Sequence, residues 1–123
     1  MIDHVSVLVG DLARSKAFYE AALQPLGYSA ILEFPTSVGL GAQGKPDLWL
    51  TLDTRGHIHA THVAVRADSR AKVDAFHRAA TAAGGRDNGA PGVRAHYHPS
   101  YYGAFVLDPD GHNLEAVCHE PGA

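Results

Sequence analysis

The chain contains a single cysteine, a single methionine and a single tryptophan in 123 residues, and no apolar run approaches membrane-spanning length. With only Cys118 available, an intrachain disulfide is excluded, so stability must come from packing and from any bound ion. A reducing cytoplasm is the expected compartment. A dominant charge is missing too: ten basic and thirteen acidic residues give a formal charge of −3, without the long single-sign run that marks a nucleic-acid surface. Residues 1–6 lack the basic segment and apolar stretch of a secretory leader, and no leader is expected. A Gly-rich phosphate loop, a Gly-x-Ser-x-Gly elbow and zinc-finger spacing are all missing, which removes support for nucleotide hydrolysis, serine esterase chemistry and a structural zinc module.

Histidine, by contrast, is abundant at nine residues, and it is the commonest metal-ligating side chain. Glycine is abundant at thirteen, mostly in turn-like clusters, which predicts many short strands. At 46% hydrophobic residues the chain supports the core of one domain over residues 1–123.

An internal repeat organises that domain. Sliding the sequence on itself matches residues 4–27 with 62–85 without a gap. His4, Val5 and Val7 fall on His62, Val63 and Val65; Ala17, Phe18, Ala22 and Gly27 fall on Ala75, Phe76, Ala80 and Gly85. Each copy opens with a two-residue alternation that predicts a strand and sets its histidine on one face. Helices follow over about 12–24 and 70–83. Asp11 caps the first and Asp68 or Ser69 the second, and Pro25 with Gly27 and Gly84 with Gly85 end them. Three strands come next in each copy: 28–34, 37–42 and 47–52, then 87–93, 102–107 and 112–118. Asp108-Pro-Asp-Gly marks a hairpin turn. The expected fold is α+β: two βαβββ modules, about 1–53 and 60–119, related by a pseudo-twofold and forming a cupped sheet around a cleft. Residues 89–101 of the second module are the extra loop, whose Gly, Pro, His and Tyr suit a cover over a site.

Under that symmetry the equivalent histidines, His4 and His62, are expected to meet across the cleft. Glu115 on the last strand alternates with Leu114 and Ala116. A carboxylate facing an apolar interior is costly unless a cation or an ion pair offsets it; Arg66 and Arg94 are the candidate pair partners. With His4 and His62 it makes a two-imidazole, one-carboxylate set suited to Zn, Ni, Mn, Fe(II) or Co, with positions left for water and substrate. His96 and Tyr102, just before the strand leading to Glu115, are the candidate acid/base or oxyanion-binding groups beside it. Trp49, Phe34 and Phe105 are the candidate lining of a substrate pocket. His57, His59 and His62 approach a metallo-β-lactamase pattern, but Thr61 stands where that pattern has aspartate. Cys118 reads as a buried, inert thiol.

Three segments together resemble the vicinal oxygen chelate superfamily, which includes glyoxalase I, bleomycin and fosfomycin resistance proteins and extradiol dioxygenases: His4 to Val9 with Asp11 to Tyr19, His62 to Val65, and Phe105 to Glu115. The likeness covers nearly the whole chain. It implies a metal held by His4, His62 and Glu115 that chelates two adjacent substrate oxygens as a Lewis acid, in a lyase, isomerase or dioxygenase. It also implies a homodimer acting on a small molecule. Matching Asp47-Leu48-Trp49 to Asn113-Leu114-Glu115 puts Trp49 at the fourth ligand place, unlike glyoxalase I. A drug-sequestering protein resembling the bleomycin resistance proteins, needing no metal, is the alternative.

Overall fold

The computed structural model describes residues 1–122. Module 1 consists of β1 (Val5–Val9), α1 (Leu12–Leu23), β2 (Ser29–Phe34), β3 (Ser37–Ala42) and β4 (Lys45–Leu52). Module 2 consists of β5 (His62–Arg66), α2 (Arg70–Ala82), β6 (Arg86–Val93), β7 (Tyr102–Leu107) and β8 (Asn113–Cys118). The two copies of βαβββ therefore stand as the repeat predicts, and each folds into its own four-stranded sheet, ordered β1-β4-β3-β2 and β5-β8-β7-β6.

The repeat extends to the register. In module 1 the parallel β1–β4 pair sets Val5 against Leu48 and Ser6 against Trp49. In module 2 the β5–β8 pair sets Val63 against Leu114 and Ala64 against Glu115. Trp49 and Glu115 are thus equivalent positions, both on the sheet face opposite the helix.

Local chemistry explains the helices. Asp11 accepts a hydrogen bond from the Arg14 N–H at 3.0 Å, and Ser69 one from the Lys72 N–H at 3.2 Å, each supplying a first-turn donor with a partner. After α1, a short 3-10 turn over Gln24–Leu26 ends in Gly27 at φ 85°, a left-handed conformation that glycine adopts without steric cost. The buried stripe of α1 is Ser15, Phe18, Tyr19, Ala22 and Leu23. Ala17 and Ala21, repeat positions that look apolar, face solvent. The repeat there preserves small helix-forming residues as well as the core.

Each helix packs on its own sheet, and α1 also packs on α2. Phe18 and Phe76, equivalent in the repeat, are both buried in one core that runs through the two modules. A side chain on Gly85 would collide with Val106 and Phe18, so a glycine is needed where module 2 meets α1.

The second connection between modules is the β7–β8 turn. Asp108 accepts from the Asp110 and His112 N–H groups at 2.9 and 2.8 Å, closing the turn, and from the Tyr19 hydroxyl of α1 at 2.6 Å. Asp110 accepts from the Gly10 N–H at 3.2 Å and the Ser15 hydroxyl at 3.3 Å. The sequence marks this segment as a hairpin turn; in three dimensions it also fastens module 2 to module 1.

Two segment limits differ from expectation. The expected 89–101 loop overlaps the strand expected over 87–93, and the strand prevails: β6 runs to Val93 with register shifts near Gly89, pairing Gly89 with Phe105 and Gly92 with Gly103, and leaves 94–101 as the loop. Likewise β4 starts at Lys45, two residues before the expected 47–52, and takes in Pro46; proline is tolerated near the start of a strand.

Candidate functional site

Period-two alternation decides which side chains reach the sheet faces left uncovered by the helices. On module 2 these include His62, Glu115 and Phe105, because Phe105 pairs with Glu115 across β7–β8 and Ala64 pairs with it across β5–β8. His62 Nε2 lies 2.7 Å from Glu115 Oε1. The His62 side chain is 54% exposed and that of Glu115 only 1%. The Tyr101 hydroxyl donates to the other oxygen, Oε2. Burial first, and then this bond to a carboxylate, push the Tyr101 phenol above its ordinary range.

Among the described residues Glu115 has no arginine partner. The Arg94 guanidinium donates instead to the carbonyls of Gly92 and Ala90, both at 2.8 Å, and lies over the Phe105 ring. Among the described residues, His62 is the only basic side chain in contact with Glu115. A neutral phenol adds no positive charge, so either a protonated His62 imidazole or a bound cation is what offsets the buried carboxylate. An imidazole nitrogen and a carboxylate oxygen in contact form a donor set that suits a divalent ion.

His4 is elsewhere within the chain. It contacts Asp3 through Nδ1 at 2.7 Å, and lines a cleft of about 380 Å³ with Ile2, Val5, Tyr28, Asp47 and residues 63–66 of β5. The other end of β1 is tied to the start of β5: His112 Nε2 donates to the Leu8 carbonyl at 2.7 Å, and its Nδ1 accepts from the Thr61 N–H at 3.0 Å. β1 and β5 therefore pass one another in opposite senses, which carries the equivalent histidines to opposite ends of the pair. Among the described residues, no three His, Cys, Asp or Glu side chains gather closely enough to hold one ion.

Of the two candidate acid/base residues, neither touches Glu115. Tyr102 faces the helix, donating to Asp74 of α2 at 2.7 Å. His96 is exposed and lies against Tyr97, ring centroids 4.1 Å apart and planes tilted by 49°. The residue missed is Tyr101, one position before Tyr102. Its signal was available in the alternation: Tyr101, Gly103 and Phe105 share the face of Glu115, and Tyr102, Ala104 and Val106 share that of the helix.

The proposed pocket residues divide between the modules. Phe105 lies beside His62, ring centroids 6.1 Å apart. Trp49 stacks on Phe34 at 6.1 Å with 19° between planes, and Phe34 is 54% exposed. Trp49 lies across Gly39, its cross-strand partner, where a Cβ would come within 2.9 Å of the indole. Module 1 thus carries an aromatic platform at the place where module 2 carries its carboxylate. Cys118 is buried and free. No helix is long and apolar enough to cross a membrane among the described residues.

Comparison with known proteins agrees with this architecture. A protein described as a glyoxalase/bleomycin resistance protein from Albidiferax ferrireducens is 30% identical, with a TM-score of 0.79 over 94% of this chain and 96% of that one. A glyoxalase-related enzyme from Fulvimarina pelagi, 20% identical, superposes with a TM-score of 0.73 over 96% of this chain and 87% of that one. Lactoylglutathione lyase from Agrobacterium tumefaciens, 19% identical, shares the fold with a TM-score of 0.69 over 96% and 92%. Among curated proteins none matches. The family model of the glyoxalase/bleomycin resistance protein/dioxygenase superfamily matches residues 1–116, and the chain belongs to that superfamily.

Proposed function

We propose that the protein is a divalent-metal-dependent enzyme of the glyoxalase or dioxygenase type, acting on a small molecule with two adjacent oxygens. The observation that carries this reading is the contact of His62 with a Glu115 carboxylate that is 1% exposed and has no arginine or lysine partner among the described residues. His62 and Glu115 would hold Zn, Ni, Mn, Fe(II) or Co, and the third ligand would be His4 of a second copy of the chain. The reading therefore includes a homodimer, and the outer sheet edges at β2 and β6 give a physical reason for association. The ion would chelate both substrate oxygens and stabilise the anion formed there. The chain's own groups orient and enclose: Phe105 walls the site beside His62, Tyr101 holds Glu115, and Trp49 with Phe34 offers a flat apolar surface. A single buried thiol suits a reducing cytoplasm.

Elemental analysis of protein purified without chelators, followed by titration with Zn, Ni, Mn and Fe(II), tests metal dependence. The expected result is stoichiometric binding that Glu115→Gln abolishes; absence of binding to every ion would end the reading. Mixing tests the shared site. His4→Ala and Glu115→Gln proteins, each inactive in binding alone, should recover roughly a quarter of the wild-type sites when subunits exchange at random in equal amounts. No recovery despite exchange would place His4 outside the site.

A second reading is favoured by one observation, the Trp49–Phe34 stack at the place equivalent to Glu115. It is a binder resembling the bleomycin resistance proteins, which sequesters an aromatic small molecule without metal. Quenching of Trp49 fluorescence by such a molecule in metal-free protein supports it; quenching that depends on added metal counts against it.

A further inference from the structure

We infer that Tyr101 is the positioning residue of Glu115, and that Gly103 is glycine so that the two can meet. The inference deepens the proposed function and rests on its reading of His62 and Glu115 as ligands. Three observations carry it. The Tyr101 hydroxyl donates to Glu115 Oε2, while Oε1 faces His62 Nε2 at 2.7 Å, so the two carboxylate oxygens have different partners. A Cβ on Gly103 would lie 3.2 Å from both Glu115 Oε2 and the Tyr101 ring, tighter than nine in ten real contacts of this kind, so one of the two would have to shift. The ring is itself fixed from two sides, edge-on to Tyr97 at 5.0 Å and to His119 at 5.2 Å.

The physical consequence follows from the charge. An arginine at this place would satisfy the carboxylate by neutralising it and leave little attraction for an incoming cation. A phenol supplies one hydrogen bond and no charge, so it holds the carboxylate's rotation about its last bond and leaves the negative charge intact. Oε1 is then the oxygen presented beside His62, and the 94–101 loop that carries Tyr101 becomes part of the site's framework without touching the ion. Neighbours that orient a ligand in this way change metal affinity by about 10- to 100-fold when removed.

Tyr101→Phe keeps the ring and its two aromatic contacts and removes only the oxygen. The expected result is a metal affinity about 10- to 100-fold weaker than wild type, measured by competition with a chromophoric chelator. Gly103→Ala should weaken affinity in the same direction with the hydroxyl still present. It decides the matter should Tyr101→Phe fail to fold.

A metal-free readout separates this inference from the reading beneath it. The His62 ring nitrogens, followed by NMR, should report a tautomer with the proton on Nε2 in wild type and shift when Tyr101 loses its hydroxyl. Unchanged His62 signals and unchanged affinity in Tyr101→Phe overturn the inference even where wild type binds metal. Shifted His62 signals in a protein that binds no metal uphold Tyr101 as the positioning residue and overturn the metal reading instead.

Discussion

His112 and Leu8 are joined across the two modules: the buried imidazole donates through Nε2 to the Leu8 carbonyl at 2.7 Å. Leu8 lies on the uncovered edge of β1, where no strand supplies the donor its carbonyl needs. Because Nδ1 of the same ring accepts from the Thr61 N–H, one side chain does the work of two backbone bonds between facing edges.

Replacing His112 with Ala removes both bonds and leaves a cavity in place of the ring. The expected loss of stability is about 2–4 kcal/mol, measured by urea unfolding, with amide exchange of Thr61 accelerated more than that of the β3 core. A loss below about 0.5 kcal/mol would mean that water replaces the ring without consequence.

Tyr19→Phe tests the neighbouring fastening. Its hydroxyl donates to Asp108 at 2.6 Å in a site where both residues are buried, so deletion leaves a carboxylate oxygen short of a partner. The expected cost is about 1–3 kcal/mol. Tyr28→Phe, whose hydroxyl reaches Asp47 at 2.8 Å in a partly buried setting, should cost less, because water takes over the acceptor there.

Alkaline pH probes the same phenols. Burial first, and then their carboxylate partners, raise Tyr19 and Tyr28 above their ordinary value of 10.0. Below that value both folded and unfolded chains keep the proton, and the contribution is fully present. Above it the unfolded chain releases protons that the folded chain retains, so stability falls as pH rises, by about 1.4 kcal/mol per pH unit for Tyr19. Urea midpoints should be flat up to about pH 10 and decline beyond it, and tyrosinate absorbance should appear with unfolding. Tyrosinate signal from all five tyrosines at their ordinary value in folded protein would refute this.

Gly39→Ala addresses the aromatic platform. The added methyl would lie 2.9 Å from the Trp49 ring, so the indole must move off its strand and away from Phe34. A stability loss of about 1–3 kcal/mol is expected. Trp49 is the only tryptophan, so its emission should shift without interference. An unchanged spectrum and stability would show that the stack does not depend on this glycine.

Much of this fold was legible because the information was local. The recurrence of His4-Val5-x-Val7 at His62-Val63-x-Val65, followed by helices carrying Phe18 and Phe76 in register, identified two copies of one unit. The match of Trp49 with Glu115 needed only the spacing of β4 and β8, and the strand pairing reproduces it. Tyr101 and Tyr102 are neighbours in sequence, so nearness to the strand of Glu115 does not separate them; strand alternation does, turning Tyr101 to Glu115 and Tyr102 to Asp74 of α2.

The sequence by itself determined the repeat, the order of elements and the placing of Glu115 on an inward-facing strand, since all of these follow from periodicities of two and 3.6 residues within a segment. Tertiary structure alone decided where the modules touch. A twofold relation reverses β5 against β1, so His4 and His62 lie apart in one chain while Leu8 meets His112. No local periodicity records that reversal, because it arises from how two finished modules pack their helices and fasten their edges.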